Sequence, residues 1–243
     1  MDTQLKIVII GYGKMGRGIE KLARERGHSI HAIIDNESDW IRYDTILKDA
    51  DVAIEFTTPD TAPGNIERCF DKGIAVVSGT TAWHEHLPRI IDLCQKKNQT
   101  LFHAPNFSIG VNIFFEINRK LATLMAGIPT YKVELSEIHH TQKLDAPSGT
   151  AVALANDILD LRKELKGWVL ADKYKENDVI PIEALRIDNT PGTHSVTYNS
   201  TIDSIEIKHV AHSREGFIEG ALLAATWVHN KKGIYTMKDL LNL

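Results

Sequence analysis

Fourteen residues, Glu137, Ile138, His139, His140, Thr141, Gln142, Lys143, Leu144, Asp145, Ala146, Pro147, Ser148, Gly149 and Thr150, gather two imidazoles, an ammonium and a turn-forming run directly ahead of a helix-forming stretch. Imidazole changes charge near neutral pH, and a lysine can hold a carboxylate or give up a proton. The set therefore suits proton supply, proton relay and anion binding. The run from Asp145 to Thr150 reads as the loop and cap of a helix. The first N–H groups of a helix lack intrahelical partners and carry partial positive charge, so an anion is favoured around Ser148, Gly149 and Thr150. Taken alone, the same residues also fit a solvated strand end followed by an ordinary helix box.

The elements around the segment give it direction. Tyr131, Val133 and Leu135 alternate with Lys132, Glu134 and Ser136, the period of a half-buried strand. Continued through His140, that strand places His139 on the face shared by Leu135 and Glu137 and turns His140 to the other. Ala151–Leu159 is helical in composition.

A second motif lies near the start. Gly11, Tyr12, Gly13, Lys14, Met15 and Gly16 follow a predicted strand, Lys6–Ile10, and open a predicted helix, Met15–Arg26. This is the setting a G-x-G-x-x-G dinucleotide loop requires: glycines for the tight turn, for backbone approach to a pyrophosphate and for helix-on-strand packing. Asp35 ends the second predicted strand nineteen residues past Gly16, where a carboxylate accepts from adenine-ribose hydroxyls. Asn36 rather than arginine follows it, which leans toward NADH, while Lys14 and Arg17 keep NADPH open. Two further loops, Phe56 to Pro59 and Ser78 to Thr81, leave predicted strands at the ligand-binding edge; they read equally as ribose and nicotinamide contacts or as plain turns.

From residue 5 to about 105, short β-branched runs alternate with amphipathic stretches. Strands are predicted at Lys6–Ile10, Ser29–Ile34, Asp51–Phe56, Ile74–Val77 and Thr100–His103, with helices at Met15–Arg26, Ala62–Asp71 and His86–Lys97. That rhythm is α/β, a Rossmann-type doubly wound parallel sheet. Past Asn106 it is lost: a long helix, Ile109–Met125, precedes the histidine strand. Further strands are expected at Ile182–Ile187, Ser195–Tyr198 and Ile202–Val210, and a last helix at Phe217–Val228. A smaller α+β mixed-sheet domain is expected there.

Composition narrows the class. The 243 residues are 43% hydrophobic and carry a net charge of −4 with no block of one sign, so neither a coreless chain nor a broad nucleic-acid surface is expected. Ile7–Ile10 is too short to span a bilayer and lacks the flanks of a secretory signal, which predicts a cytoplasmic protein without membrane contact. Cys69 and Cys94 fall on apolar helix faces and read as buried, reduced thiols. His84, Glu85 and His86 lack a second ligand pair at metal-binding spacing and read as a solvated helix start, so no metal is expected. Trp168, Trp227, Phe114 and Phe115 read as core or interface.

With these motifs in place, the whole chain resembles the dihydrodipicolinate reductase family. The resemblance is carried by Gly11 to Gly16, by Gly79, Thr80 and Thr81, by Ala104 to Ser108, by Glu137 to His140 with Lys143, and by Asp145 to Thr150. It implies that hydride passes from NADH or NADPH to a small cyclic unsaturated dicarboxylate, giving tetrahydrodipicolinate for lysine and diaminopimelate biosynthesis. By residue match, His139 is a proton donor and acceptor and Lys143 a proton donor, while His140, Gly149 and Thr150 bind a substrate carboxylate. Gly11, Tyr12, Gly13, Lys14, Met15, Gly16 and Asp35 take the dinucleotide. Gly79, Thr80 and Thr81, with Ala104, Pro105, Asn106 and Phe107, line its nicotinamide side. The resemblance further implies a cytoplasmic homotetramer built through the second domain's sheet. It also implies a dinucleotide domain of residues 1–108 rejoined by 214–243, with a substrate and tetramerisation domain at 109–213. The glycine loop is one residue tighter than in many members, and Asp35 lacks the basic neighbour often found beside it. Arg214 is read no further than a hinge or cofactor-edge contact. Two other readings stand beside the reductase: another nicotinamide-linked dehydrogenase of an amino-acid pathway, and a non-catalytic NADH-sensing module that would need no proton donor.

Overall fold

Period-two burial in the first strand divides the N-terminal half into layers. In the computed structural model, which describes residues 4–174 and 178–243, Ile7 and Ile9 of β1 (Lys6–Ile10) join one hydrophobic cluster and Val8 and Ile10 join another. The elements then run α1 (Lys14–Glu25), β2 (Ser29–Ile34), α2 (Glu37–Tyr43), β3 (Val52–Glu55), α3 (Ala62–Asp71), β4 (Ala75–Ser78), α4 (Leu87–Lys96) and β5 (Thr100–His103). They continue with α5 (Ile109–Met125), β6 (Lys132–His139), α6 (Gly149–Leu159), β7 (Gly167–Leu170), β8 (Val179–Arg186), β9 (Gly192–Asn199) and β10 (Ser204–Ala211), then α7 (Glu215–Val228), β11 (Gly233–Tyr235) and α8 (Met237–Leu241).

Two compact units result: Met1–Ile109 with Glu215–Leu243, and Gly110–Arg214. The first holds a parallel sheet in the order β11-β5-β4-β3-β1-β2. One face packs Ile19 and Ala23 of α1 with Ala221, Ala224, Ala225 and Val228 of α7. The other packs Trp40 of α2, Ile66, Cys69 and Phe70 of α3, and Ile90 and Cys94 of α4. Both cysteines are free and buried, and burial pushes each thiol's pKa up, so neither is a ready nucleophile. The strand order reverses direction at β1, whose neighbours are β2 and β3; in open α/β sheets ligands bind outside the strand ends at such a point.

The second unit is a mixed sheet, β10-β9-β6-β8-β7. β6 pairs antiparallel with β9 and parallel with β8. Val133 and Leu135 of β6 pack with Ile180 and Ile182 of β8, Val196 and Tyr198 of β9, and Leu154, Ala155 and Ile158 of α6. The buried Asn118 of α5 donates to the Leu154 carbonyl at 3.1 Å, tying the two helices together. No helix among the described residues is long and apolar enough to cross a membrane.

Several elements differ from the sequence expectation for physical reasons. α2 was not foreseen: only Trp40 is buried, and its start depends on a reciprocal cap between Asn36 and Asp39 rather than on an apolar stripe. β8 begins three residues before the predicted Ile182, because Val179 to Pro181 pair only with β7 and the β6 ladder starts at Ile182, just past the proline. β7, β11 and α8 are only four, three and five residues long, below the length at which periodicity speaks.

Candidate active site

At the C-terminal ends of β1, β2 and β3 a crevice of about 450 Å³ is lined by Gly11, Tyr12, Gly13, Asp35, Trp40 and Thr57, among others. Its glycines do different work. Gly11 has φ +89°, and a Cβ there would meet the Phe56 carbonyl oxygen at 2.1 Å; a Cβ on Gly16 would meet the Gly11 oxygen at 2.2 Å. Both are required by the turn itself. A Cβ on Gly13 would find nothing within 4 Å, so packing within the chain does not require a glycine there. Gly13 caps α1 without a side-chain acceptor, which leaves the first N–H groups of the helix for an anion. This cradle fits the pyrophosphate of a dinucleotide.

Asp35 Oδ1 accepts the Tyr12 N–H at 2.7 Å, fixing the loop, and the exposed Asp35 side chain retains a second oxygen. Tyr12 donates its hydroxyl to Glu20, and Arg17 stacks over the Tyr12 ring at 5.3 Å. Lys14 is exposed, and Met15 packs against the core. On the far side of β3, Glu55 is fully buried and gathers two loops. It accepts from the Thr57 N–H at 3.0 Å, the Ser78 hydroxyl at 2.6 Å, the Thr80 hydroxyl at 2.8 Å and the Thr57 hydroxyl. Gly79 lies against the Phe56 ring, where a Cβ would come to 2.1 Å, and Thr81 is exposed. Ala104 and Phe107 are buried, the latter ring between Phe56 and Phe102 with both centroids at 5.7 Å; Pro105 is exposed and Asn106 half-buried. Phe107 therefore packs the core with its side chain.

In the second unit β6 ends at His139, whose side chain is buried on the face of Val133, Leu135 and Glu137, as the strand parity predicts; His140 lies just beyond and is half-buried. Burial drives the His139 pKa down to about 4 against the opposing charge of Glu137, so the imidazole is neutral at neutral pH. Lys143 bonds both Asp145 carboxylate oxygens at 2.8 Å and holds that carboxyl below its usual range. His140 Nε2 lies 3.3 Å from Arg214 Nη2, and its buried Nδ1 has no partner among the described residues. Arg214 thus stands on the histidine side, which its expected hinge or cofactor-edge role did not anticipate.

The start of α6 corrects one expectation. Ser148 is the cap and accepts the Ala151 N–H at 3.2 Å, but its own N–H is not free for a ligand: it donates to both Glu137 oxygens at 3.0 and 3.1 Å. The available first-turn N–H groups are those of Gly149 and Thr150, beside which the chain is exposed or half-exposed. Glu137, fully buried, also receives Arg186 at 3.2 Å and lies 3.5 Å from His139 Nδ1 and 3.6 Å from His194 Nε2. Burial opposes its ionisation, yet His194, Ser148 and His139 outweigh that and hold its pKa at about 2. Sequence reasoning placed Glu137 on the His139 face without giving it a role, and gave none to Glu55, Arg186 or His194. The available signal was a glutamate at an inward strand position, since a buried carboxylate demands donors.

Family comparison covers both units: the model of the N-terminal part of dihydrodipicolinate reductase matches residues 5–107, and that of its C-terminal part matches 110–241. The chain belongs to the dihydrodipicolinate reductase family. It is 47% identical to the 4-hydroxy-tetrahydrodipicolinate reductase of Christiangramia forsetii over 98% of each chain, and 34% identical to that of Staphylococcus aureus over 97% of this chain and 100% of the other. Among solved structures, a dipicolinate-bound dihydrodipicolinate reductase from Paenisporosarcina sp. TG-14 shares the fold at 24% identity, with a TM-score of 0.75 over 96% of this chain and 98% of that one. The reductase catalyses its family's reduction step in lysine and diaminopimelate biosynthesis and is an NAD(P)H-dependent oxidoreductase. Both the sensor reading and the reading as another amino-acid-pathway dehydrogenase are thereby set aside.

Proposed function

We propose that the reductase binds a small cyclic dicarboxylate, chemically akin to the dipicolinate held by the Paenisporosarcina protein, and protonates it from the Glu137–Thr150 segment. The observation that carries this reading is the conjunction of Lys143, His139, His140 and the uncapped N–H groups of Gly149 and Thr150 on one strand end and the turn that follows it. When bound, the nicotinamide supplies hydride to one carbon of the substrate double bond, and the electron pair leaving that bond takes a proton. Lys143 delivers that proton. His139, neutral before substrate binds, accepts and passes on a proton rather than starting with one. His140 and the Gly149 and Thr150 N–H groups hold a carboxylate, and Arg214, next to His140, adds a guanidinium to the same anion.

The cofactor is NADH in preference to NADPH. Asp35 stands at the ribose end beside Glu37, and its N–H donates to the Asp39 carboxylate at 2.9 Å, while the nearby Arg68 is engaged by Glu37 at 2.8 Å. A 2′-phosphate would meet carboxylates there. Gly11 to Gly16 hold the pyrophosphate, while Gly79 to Thr81 and Ala104 to Phe107 border the nicotinamide with backbone groups and hydroxyls. A homotetramer built through the second unit's sheet accords with the exposed Val210 on the face of the edge strand β10 away from the core, and its mass in solution by light scattering tests it.

The decisive experiment supplies the substrate precursor in situ and follows NADH oxidation. Lys143→Ala and His139→Ala should each lower kcat by about 100-fold or more while the Kd for NADH stays within twofold. Wild-type turnover in both variants would overturn the assignment. A lower KM for NADPH than for NADH would overturn the cofactor preference.

A further inference from the structure

Glu137 is fully buried, yet its contacts reach several separate parts of the proposed site. The Ser148 N–H that it accepts fixes the first turn of α6, and with it the Gly149 and Thr150 N–H groups. Arg186 Nη2 donates to Oε1 at 3.2 Å, and the same guanidinium donates to the backbone carbonyls of Lys143, at 3.3 Å, and Asp145, pinning the lysine loop. Oε2 lies 3.5 Å from His139 Nδ1, an ion-pair distance without hydrogen-bond geometry, since that buried nitrogen has no hydrogen-bond partner among the described residues; it lies 3.6 Å from His194 Nε2, which is 3.1 Å from the Ser148 hydroxyl. The two imidazoles meet edge-on with centroids 5.0 Å apart. Glu137, His139 and His194 bring ligating atoms within 4.8 Å of one another, but the carboxylate is already occupied by a guanidinium and an amide, which disfavours a cation.

We propose that Glu137 is a positioning residue for the reduction, which holds His139 in its Nδ1–H tautomer while fixing the start of α6 and, through Arg186, the Lys143 loop. The inference rests on the roles proposed above for His139, Lys143 and the helix start. The negative charge 3.5 Å from Nδ1 favours the proton on that nitrogen and leaves the Nε2 lone pair for proton exchange. Nε2 looks toward Gly192, where a Cβ would stand at 3.1 Å, so the missing side chain keeps that edge of the ring clear. The charged groups around the imidazole are Glu137 on its own strand, His194 on β9, Arg186 on β8 and Lys143 in the loop; of these only Glu137 favours protonation of His139.

Glu137→Gln keeps the size and leaves an oxygen for the Ser148 N–H but removes the charge. It should lower kcat by roughly 10- to 100-fold with the Kd for NADH unchanged, and Glu137→Asp should restore part of the loss. Nitrogen-15 spectra of histidine-labelled protein should show the Nδ1–H tautomer for His139 in the wild type and a shift toward Nε2–H in Glu137→Gln. The acid limb of the kcat profile should move to lower pH, because the three groups that remain all oppose protonation. A purely structural role would lower kcat with the tautomer and the pH profile unchanged, and that result overturns the proposal, as does full activity in Glu137→Gln. The wild-type tautomer is informative even if no variant folds: Nε2–H at His139 sinks the idea outright. Full activity in Lys143→Ala and His139→Ala would instead defeat the underlying site assignment, a separate outcome.

Discussion

Each unit ends a strand in a buried glutamate that gathers the loops of its site, but the two are satisfied by different chemistry. Among the described residues Glu55, at the end of β3, accepts from an amide and three hydroxyls, whereas Glu137, near the end of β6, accepts from a guanidinium and an amide and has two imidazoles beside it. Neutral donors hold a shape without changing with pH over the working range. A network of imidazoles and a guanidinium holds a shape that depends on where protons sit. The difference matches the division of labour proposed above, in which the first unit presents backbone and hydroxyl groups to a dinucleotide and the second moves a proton beside a dianionic substrate.

The comparison is broken most severely by a steric change in the first unit. Gly11→Ala sets a Cβ 2.1 Å from a backbone oxygen at φ +89°, and should cost roughly 4 kcal/mol or more, enough to lose the folded unit in denaturant titrations. Gly13→Ala has open space around it and should shift stability by no more than about 0.5–1 kcal/mol, while weakening NADH binding by about tenfold. Equal stability losses in the two variants would mean that the loop does not divide into turn-forming and ligand-facing glycines.

Next in size is the acid response of the second unit. His139 is held at about 4 in the folded state against an ordinary 6.5, so the unfolded chain takes its proton first, and stability falls as pH drops from 6.5 to 4. Glu137 is held at about 2 against 4.5, so its contribution is present above pH 4.5 and is lost as pH falls toward 2. Unfolding free energies measured between pH 7 and 3 should show both losses: His139→Asn removes the upper one, while Glu137→Gln removes the lower and extends the upper to lower pH, since the Glu137 charge raises the His139 pKa. A flat profile between pH 6.5 and 4 in the wild type would mean that His139 is not buried as a neutral ring.

These differences also explain what the sequence made legible. β1, β2, β5 and α5 have the predicted limits because unbroken apolar or amphipathic runs define them, and the parity of β6 placed His139 on the buried face. The carboxylate anchors were not legible. Glu137 is joined to Arg186 across 49 residues and Glu55 to Thr80 across 25, so neither clasp has a local pattern. The helix start was legible as a motif but not in its allocation, since which N–H remains for a ligand depends on Glu137 reaching Ser148.

A milder test replaces the neutral clasp itself. Glu55→Gln puts an amide NH2 among groups that are already donors, so the Thr57 and Thr80 loops must rearrange. NADH affinity should fall by about 10- to 30-fold, or roughly 1.4–2 kcal/mol, by the same factor at pH 6 and pH 8.5. A strongly pH-dependent loss would erase the contrast with Glu137.

The smallest effect concerns the outer end of the cofactor crevice, where the first unit does use charge. Asp35 keeps one oxygen on the Tyr12 N–H, and Glu37 holds Arg68 at 2.8 Å while Arg68 lies over the Trp40 ring at 5.2 Å. These groups are exposed, so water and salt weaken each of them, and the ion pair itself contributes little to folding. Their effect should appear in selectivity instead. Asp35→Ser combined with Glu37→Gln removes two negative charges and releases the Arg68 guanidinium, a natural phosphate partner. The ratio of kcat/KM for NADPH to that for NADH should rise by about tenfold, or 1.4 kcal/mol, and the gain should shrink at high salt. An unchanged ratio would place selectivity with Lys14 and Arg17 at the glycine loop, and would make the charged rim a solvated edge rather than a filter.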